Sequence, residues 1–518
     1  MTFMTKIYRL NENRKTKLIN PFALFSVLWL MLFFSVTGQA QTTVRSGKPE
    51  NVYIEAGGFV VSGPMPFWLR ANQSGIVPLA GSTGTVRIGF SGAYRQVNPT
   101  DSLAKPKKVD WGYGLELVGN AGQQSQFLVP EAYLKARWGR FELYAGRRRD
   151  QIGLVDTMLT SGSFSWSGNA LPIPKVQLGT LGYVPVPFTK GLISFNALYN
   201  HGWFENVNKR VIDTRLHQAA LYVQLGKPKW PVKLYGGLNH SVVWGGYSSA
   251  LDNGVSNNGL LPSSLMAYFY AVTARTASSL ETDPNVSFFD GTNRIGNHLG
   301  TIDIGASIKL PIGKFMLYRQ NPYETGALFY LTTLADGLNG LSFRRNQPGK
   351  GWFTVDGAVL EWLYTKNQGG SGFIENDPFG RGKVNYFNNE QFIDGWQYYG
   401  RVIGTPFLTP QAEVNPNLPV GYPIANTRVS LWHVGLSGRI ARQVQWLTKV
   451  SYSQNFGTYE TPYPAETNQF SALLQMMTPV KLPALGQVQL QTSLALDTGE
   501  LLNKSSGGYF SIRKTLSY

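Results

Sequence analysis

The densest group of chemically capable residues is Gly146-Arg147-Arg148-Arg149-Asp150-Gln151-Ile152-Gly153. A guanidinium is a planar fork of donors that matches carboxylate and phosphate, so consecutive arginines can grip an acidic sugar polymer or a lipid headgroup. The same residues also read as a structural network, with Arg147 and Arg149 facing Glu116 and Glu142, and at least one of them is assigned that role. A second group, Ser161 to Gln177, contains Trp166, Asn169, Pro172 and Pro174. The two prolines force an extended chain. A tryptophan among Ser and Asn residues is the kind of surface that stacks on sugar rings and bonds their hydroxyls; a packed turn is the competing reading. Trp244-Gly245-Gly246-Tyr247 and Trp396-Gln397-Tyr398-Tyr399 pose the same choice. The polysaccharide-binding candidates are therefore Arg147, Arg148, Arg149, Trp166, Asn169, Trp244 and Tyr247.

Enzymatic constellations are missing. The five histidines, at 201, 217, 240, 298 and 433, have no metal-type spacing. There is no G-x-S-x-G elbow and no phosphate-binding Walker loop. No catalytic residue, metal or cofactor is expected.

What must position these residues is a set of strands, because the chain alternates with period 2. In Gln487–Asp497, Val488, Leu490, Thr492, Leu494 and Leu496 share one face, while Gln487, Gln489, Gln491, Ser493 and Asp497 share the other. Thr301–Leu310, Thr85–Arg95 and Asp110–Leu117 repeat the pattern. Weaker versions fall near 131–138, 140–147, 191–200, 215–225, 232–241, 325–333, 353–363, 428–440, 444–455 and 467–478. Most candidates are about ten residues long, the length a tilted strand needs to cross a bilayer. Soluble antiparallel domains also alternate, but their strands are usually shorter. Charge recurs on the polar face (Arg87, Glu116, Asp303, Lys309, Lys449), as a wet lumen would show. Trp111, Trp138, Trp230, Trp352 and Trp446 sit near strand ends, where interfacial girdles belong. The fold class is all-β: a transmembrane antiparallel up-and-down barrel of about 18 strands. Long loops are expected near 156–175, 244–297, 366–394 and 405–426. Leu260–Arg275, inside the longest, reads as a short helix on the barrel mouth or as a strand.

Composition agrees. Charged residues are 15% of 518, aromatics 13%, and Cys is 0. No stretch after residue 41 holds 18 uninterrupted apolar residues, which excludes a helical membrane protein. Lys6, Arg9, Arg14, Lys15 and Lys17 precede an apolar run from Phe22 to Val36, and Gly38-Gln39-Ala40 supplies small residues for cleavage. Residues 1–40 read as a secretory signal peptide. Its loss removes five basic residues and Glu12, so the mature chain carries about +13 of the formal +17. Such an excess attracts acidic glycans and lipopolysaccharide phosphates; nucleic acid is not an expected partner. Residues 41–82 are assigned to a small periplasmic or lumenal plug and 83–518 to the barrel; within the first segment Asn51–Ser62 also reads as a first strand, and an ordinary N-terminal extension is the competing reading of the whole. Phe510, Ile512, Leu516 and the terminal Tyr518 share one face of the last strand, interrupted by Lys514. An aromatic end on such a strand resembles the signal read by the barrel-assembly machinery of Gram-negative outer membranes, where a monomer is expected.

The run from Gly146 to Gly153, followed by Ser167-Gly168-Asn169-Ala170-Leu171-Pro172-Ile173-Pro174, resembles the Wzi-type capsule-assembly family, which carries an S-x-N-A-x-P-x-P segment after a glycine- and base-containing strand end. Pro66-Phe67-Trp68-Leu69-Arg70-Ala71-Asn72 is similar to the N-terminal part of such proteins. Length and strand plan match over the mature chain, but the specific motifs cover only about 65–72 and 141–178. The resemblance implies an 18-stranded barrel, plugged by helices and loops, that acts as a lectin for capsular or exopolysaccharide at the cell surface. Two departures stand out: there is no long N-terminal helical bundle, and Leu171 replaces an expected Arg. The alternative function is a general or anion- or sugar-selective porin.

Overall fold

The computed structural model describes residues 50–95, 107–207, 210–251, 256, 258–275, 285–286, 294–324, 328, 330–374 and 382–517. The signal-peptide segment and Tyr518 lie outside the described residues.

Apolar and polar residues alternate through long stretches, and the chain forms a closed antiparallel barrel of 18 strands. They are β1 (Glu50–Ser62), β2 (Thr83–Gly92), β3 (Val109–Gly122), β4 (Gln126–Trp138), β5 (Phe141–Arg147) and β6 (Lys175–Thr180, continued by Val184–Pro185). Then follow β7 (Ile193–Trp203), β8 (Arg215–Leu225), β9 (Val232–Trp244), β10 (Asn297–Lys309), β11 (Gly313–Tyr323) and β12 (Gly337–Arg345). The wall ends with β13 (Phe353–Tyr364), β14 (Val429–Ile440), β15 (Val444–Gly457), β16 (Pro462–Leu482), β17 (Gly486–Gly499) and β18 (Ser505–Ser517). Each strand pairs with its sequence neighbours. β1 closes the ring on β18, from Asn51 opposite Ser517 to Ser62 opposite Ser506. Closure satisfies every edge, which a sheet in hydrocarbon requires.

The outward rows are apolar, as in Ile302 and Ile304 of β10 or Leu494 and Leu496 of β17, all exposed. Exposed Trp111, Trp138, Trp230 and Trp352 mark one edge of this belt; Trp446 is instead packed against Phe353, with ring centroids 5.1 Å apart. The described chain ends lie at that edge. The four longest connections, 63–82, 148–174, 245–296 and 365–428, all leave from the opposite end. In outer-membrane barrels the long-loop end faces outside.

Three of those connections fold back into the barrel. Gly63–Ser82 carries a single-turn helix, α1 (Phe67–Arg70), and buries Met65 and Trp68; 148–174 buries Leu159 and Phe164; 365–428 buries Trp396 and Leu408. Lumen-facing wall residues bind the backbone of these segments. Asp303 accepts the Leu154 N–H at 2.9 Å, Gln320 that of Phe164 at 2.9 Å, Glu361 that of Ser161 at 2.6 Å and Asp497 that of Phe67 at 2.7 Å. Lys449 donates to the Thr160 carbonyl at 3.1 Å. The charges expected to line a wet lumen at Asp303 and Lys449 are buried and satisfy a plug, because irregular backbone excluded from water needs partners.

Three sequence expectations change. The plug does not begin before the barrel: Glu50–Ser62 is wall, and only Gly63–Ser82 is inserted. Its alternation is obscured by Gly57, where a Cβ would stand 2.8 Å from the Tyr509 hydroxyl, so the side-chain row is completed across the seam by Tyr509. Around 325–333, residue 328 and residues 330–333 are in helical or turn conformation, with Leu331 at φ 63°; the wall is built instead by the flanking β11 and β12. The apolar stretch at 260–275 takes the helical one of its two readings, as α2 (Leu265–Thr273), but it lies on the outside of the wall against Val242 and Trp244 and not on the mouth.

Candidate functional site

At the long-loop end, β5, β7 and the 365–428 connection converge. Gly146, at φ 119°, precedes Arg147; a Cβ there would meet the Ala132 carbonyl oxygen at 2.1 Å, so only glycine lets the strand end turn at this point. Arg147 forms an ion pair with Glu205, just past β7, and its guanidinium lies 3.3 Å from the Tyr398 hydroxyl. Glu205 also accepts from Tyr398 at 2.9 Å and from Tyr399 at 2.6 Å. Phe204 meets the Tyr398 ring edge-on at 5.7 Å. Burial opposes ionisation of Glu205. The Tyr399, Arg147 and Tyr398 donors outweigh it, holding the carboxyl below the usual range.

The two tyrosines sit on a hairpin, Gln397–Tyr398 paired with Arg401–Val402. Its two-residue turn is Tyr399-Gly400, at φ 51° and 70°. Positive φ at both positions is the type I′ geometry that Asn-Gly ordinarily occupies. A bulky residue there is strained. Tyr399 is nevertheless presented 42% exposed, beside a Glu205 side chain that is 45% exposed. An exposed ring, a carboxylate and an arginine within one hydrogen-bonded group can stack on a sugar face and exchange bonds with its hydroxyls.

The consecutive arginines do not act together. Arg148 turns to Glu142 at 2.6 Å and stacks over Tyr144 at 3.9 Å. Arg149 binds Glu116 with both terminal nitrogens, one at 2.8 Å, and donates to Ser74 at 3.2 Å. The expected Arg149–Glu116 pair is present; Glu142 is taken by Arg148, leaving Arg147 for the rim. Asp150 joins Lys175 at 2.8 Å and Tyr144 at 2.7 Å. Burial works against its charge, but Lys175 and Arg148 hold its carboxyl below the ordinary range.

Trp166 and Asn169 are not a surface. Trp166 is 5% exposed, under the Lys175 ammonium at 4.5 Å and edge-on to Trp396 at 6.0 Å. Asn169 accepts from the Asn72 N–H at 3.0 Å and donates to the Val402 carbonyl at 2.9 Å. Both hold the hairpin bearing Tyr399 and touch no solvent-facing site. Trp244 is buried beneath α2, and Tyr247 pairs with Ile212 in a short ladder and takes no part in the hydrogen bonds that Tyr399 and Glu205 make. Arg147 is the predicted candidate that belongs to the rim group. Glu205 carried no sequence signal: it is a lone acid in a loop.

On the chain-end side of α1 the lumen keeps two adjoining cavities of about 220 and 490 Å³, both lined by Trp68, Gln73 and Gln475. Among the described residues no group of three metal-ligating side chains converges.

No family model matches the chain, and no curated protein sequence does. Solved structures do resemble it. Wzi of Escherichia coli, described as an outer-membrane carbohydrate-binding β-barrel involved in group 1 capsule assembly, superposes with a TM-score of 0.55 at 14% identity, over 89% of this chain and 84% of that one. OpdL of Pseudomonas aeruginosa gives 0.45 at 9% identity, over 91% and 99%. OccK5 (OpdH) of the same organism gives 0.43 at 9%, over 90% and 98%. The likeness to Wzi is one of fold: this chain is an 18-stranded antiparallel barrel of the outer-membrane kind.

Proposed function

We propose that this protein is an outer-membrane barrel that binds capsular or exopolysaccharide at the cell surface and helps attach or organise the capsule. The observation that carries the reading is Tyr399, held exposed in a strained turn and bonded to Glu205 and Arg147. One side of the Tyr399 ring packs edge-on against Tyr398 at 4.8 Å, and the half left exposed in a strained turn is the part that a sugar face can stack on. The filled lumen supports a binding role over free passage of solutes. The carbohydrate-binding barrel Wzi supports it by likeness of fold. Each rim contact is weak; a repeating glycan crossing many barrels gains avidity. Export by cleavage after Ala40, insertion by machinery reading Phe510, Ile512, Leu516 and Tyr518, and a monomeric state belong to the same proposal.

Two measurements test it. Deleting the gene should shift polysaccharide from the cell-bound to the shed fraction, and unchanged retention sinks the reading. The purified barrel in a planar bilayer should stay closed. The two cavities and the basic excess favour an anion-selective porin as the second reading, and large steady conductance would establish it in place of the first.

A further inference from the structure

On β7 to β10 the outward, lipid-facing rows change character toward the long-loop end. Leu234 and Leu238 are exposed, then the same row of β9 continues as His240, Val242 and Trp244. Leu221 and Val223 lead on β8 to His217, Ile302 leads on β10 to His298, and His201 stands opposite His217 on β7. His240 lies 3.1 Å from His298 and 2.7 Å from the Tyr323 hydroxyl. Bare imidazoles are poor partners for acyl chains. His201 and His217 are covered by Tyr268 of α2, with ring centroids 5.2 and 6.0 Å away, and α2 sets Ala267 and Ala271 against the wall and ties Tyr268 to Tyr199 at 2.9 Å; His298 is met instead by the Ile295 carbonyl at 2.9 Å.

The other face of α2 is apolar and unpartnered. Leu265 is 84% exposed, Met266 52% and Phe269 48%. Facing outward above the exposed leucines of β8 and β9, this face extends the lipid-contacting belt. Arginines flank it. At the start, Arg215 covers Trp244 at 5.0 Å and bonds the Ser263 carbonyl at 3.1 Å. At the end, Arg275 lies 5.6 Å from the Phe269 ring, and Arg294 bonds the Ala274 carbonyl at 3.1 Å. Arg215, Arg275 and Arg294 pair with no described carboxylate.

We infer that α2 and these arginines form an external binding site for the phosphorylated lipid A portion of lipopolysaccharide, with acyl chains on Leu265, Met266 and Phe269 and phosphate at Arg275 and Arg294. An amphipathic helix at the headgroup boundary with cationic ends is suited to such a lipid. The site is independent of the glycan reading, since it lies on the outer wall rather than the rim group.

The chain has no cysteine, so Phe269→Cys gives a unique spin-labelling position. In vesicles containing lipid A the label should be relaxed more by oxygen than by a water-soluble nickel complex. Nickel dominance, or spin–spin broadening between copies, overturns the proposal. Arg275→Gln with Arg294→Gln should lower lipid A retained per barrel about thirtyfold, with unaltered retention of phosphatidylcholine and unchanged mobility of the folded barrel. Equal lipid A retention overturns it.

Discussion

Single residues decide what the rim can bind. Tyr399 replaces the residue that a type I′ turn favours, so Tyr399→Asn should stabilise the hairpin and yet weaken binding to the host's own polysaccharide by about fivefold, as expected for loss of an aromatic contact worth ~1 kcal/mol. Calorimetry and a glycan-binding isotherm on one sample separate the two effects; if both rise together, the strain serves no ligand. Glu205 gives a pH dependence. Burial raises its pKa, but the Tyr399, Arg147 and Tyr398 donors bring it below the ordinary value of about 4.3. A depressed acid contributes stability that is present above the unfolded value and lost as pH falls through the folded one. Glycan binding should therefore be flat from neutral to about pH 5 and collapse only below the usual glutamate range, and Glu205→Gln should abolish that acid limb. Titrating the isotherm checks this. Arg147 was legible because three arginines in a row are conspicuous. Glu205 was not, because its tyrosine partners lie 193 and 194 residues away in sequence, and nothing local marks a loop acid as one that will be gripped.

Elements were legible where one face meets lipid and illegible where they meet other loops. β10 and β17 alternate without interruption, and bilayer contact imposes that pattern. The inserted segments have no period, because their environment is the irregular interior of the lumen. Glu413 shows how they are joined: it pairs with Arg70 of the first segment and with Arg401 of its own, the latter at 2.8 Å, and Arg401 reaches the Val77 carbonyl at 2.8 Å. Burial would raise the Glu413 pKa, and the two arginines bring it below the ordinary range. Removing one member of a buried network leaves uncompensated charge, at a cost of about 3–5 kcal/mol. Glu413→Gln should thus release the plug, seen as new protease cuts within 63–82 and 365–428, while the wall stays intact. Restoring resistance by adding Arg70→Met and Arg401→Met would confirm that the defect is charge; continued cutting of the triple variant would show that shape matters more.

The whole molecule depends on one seam whose first strand is only half legible in the sequence. The thirteen residues of β1 lie in the segment assigned to the plug, where a first strand over Asn51–Ser62 is the alternative reading, and without them β2 and β18 would leave unpaired edges in hydrocarbon, where each open backbone group costs several kcal/mol. The ambiguity has a local cause. Gly57 and Gly58 interrupt the alternation, and the Tyr509 side chain that fills the gap beside Gly57 comes from the other end of the chain. The seam can be tested covalently. Val52 stands directly opposite Leu516. Facing residues of antiparallel strands have Cα atoms about 4.5–5.5 Å apart, inside the range a disulfide accepts. In this cysteine-free chain, Val52→Cys with Leu516→Cys should therefore oxidise to a single intramolecular bond that links the two ends. The slipped pair Val52→Cys with Thr515→Cys places its sulfurs on opposite faces and should stay reduced, since one residue of register reverses every side chain. Gel mobility before and after reduction distinguishes them. Bonding in both pairs would mean a loose seam, and bonding in neither would mean that β1 does not close the barrel.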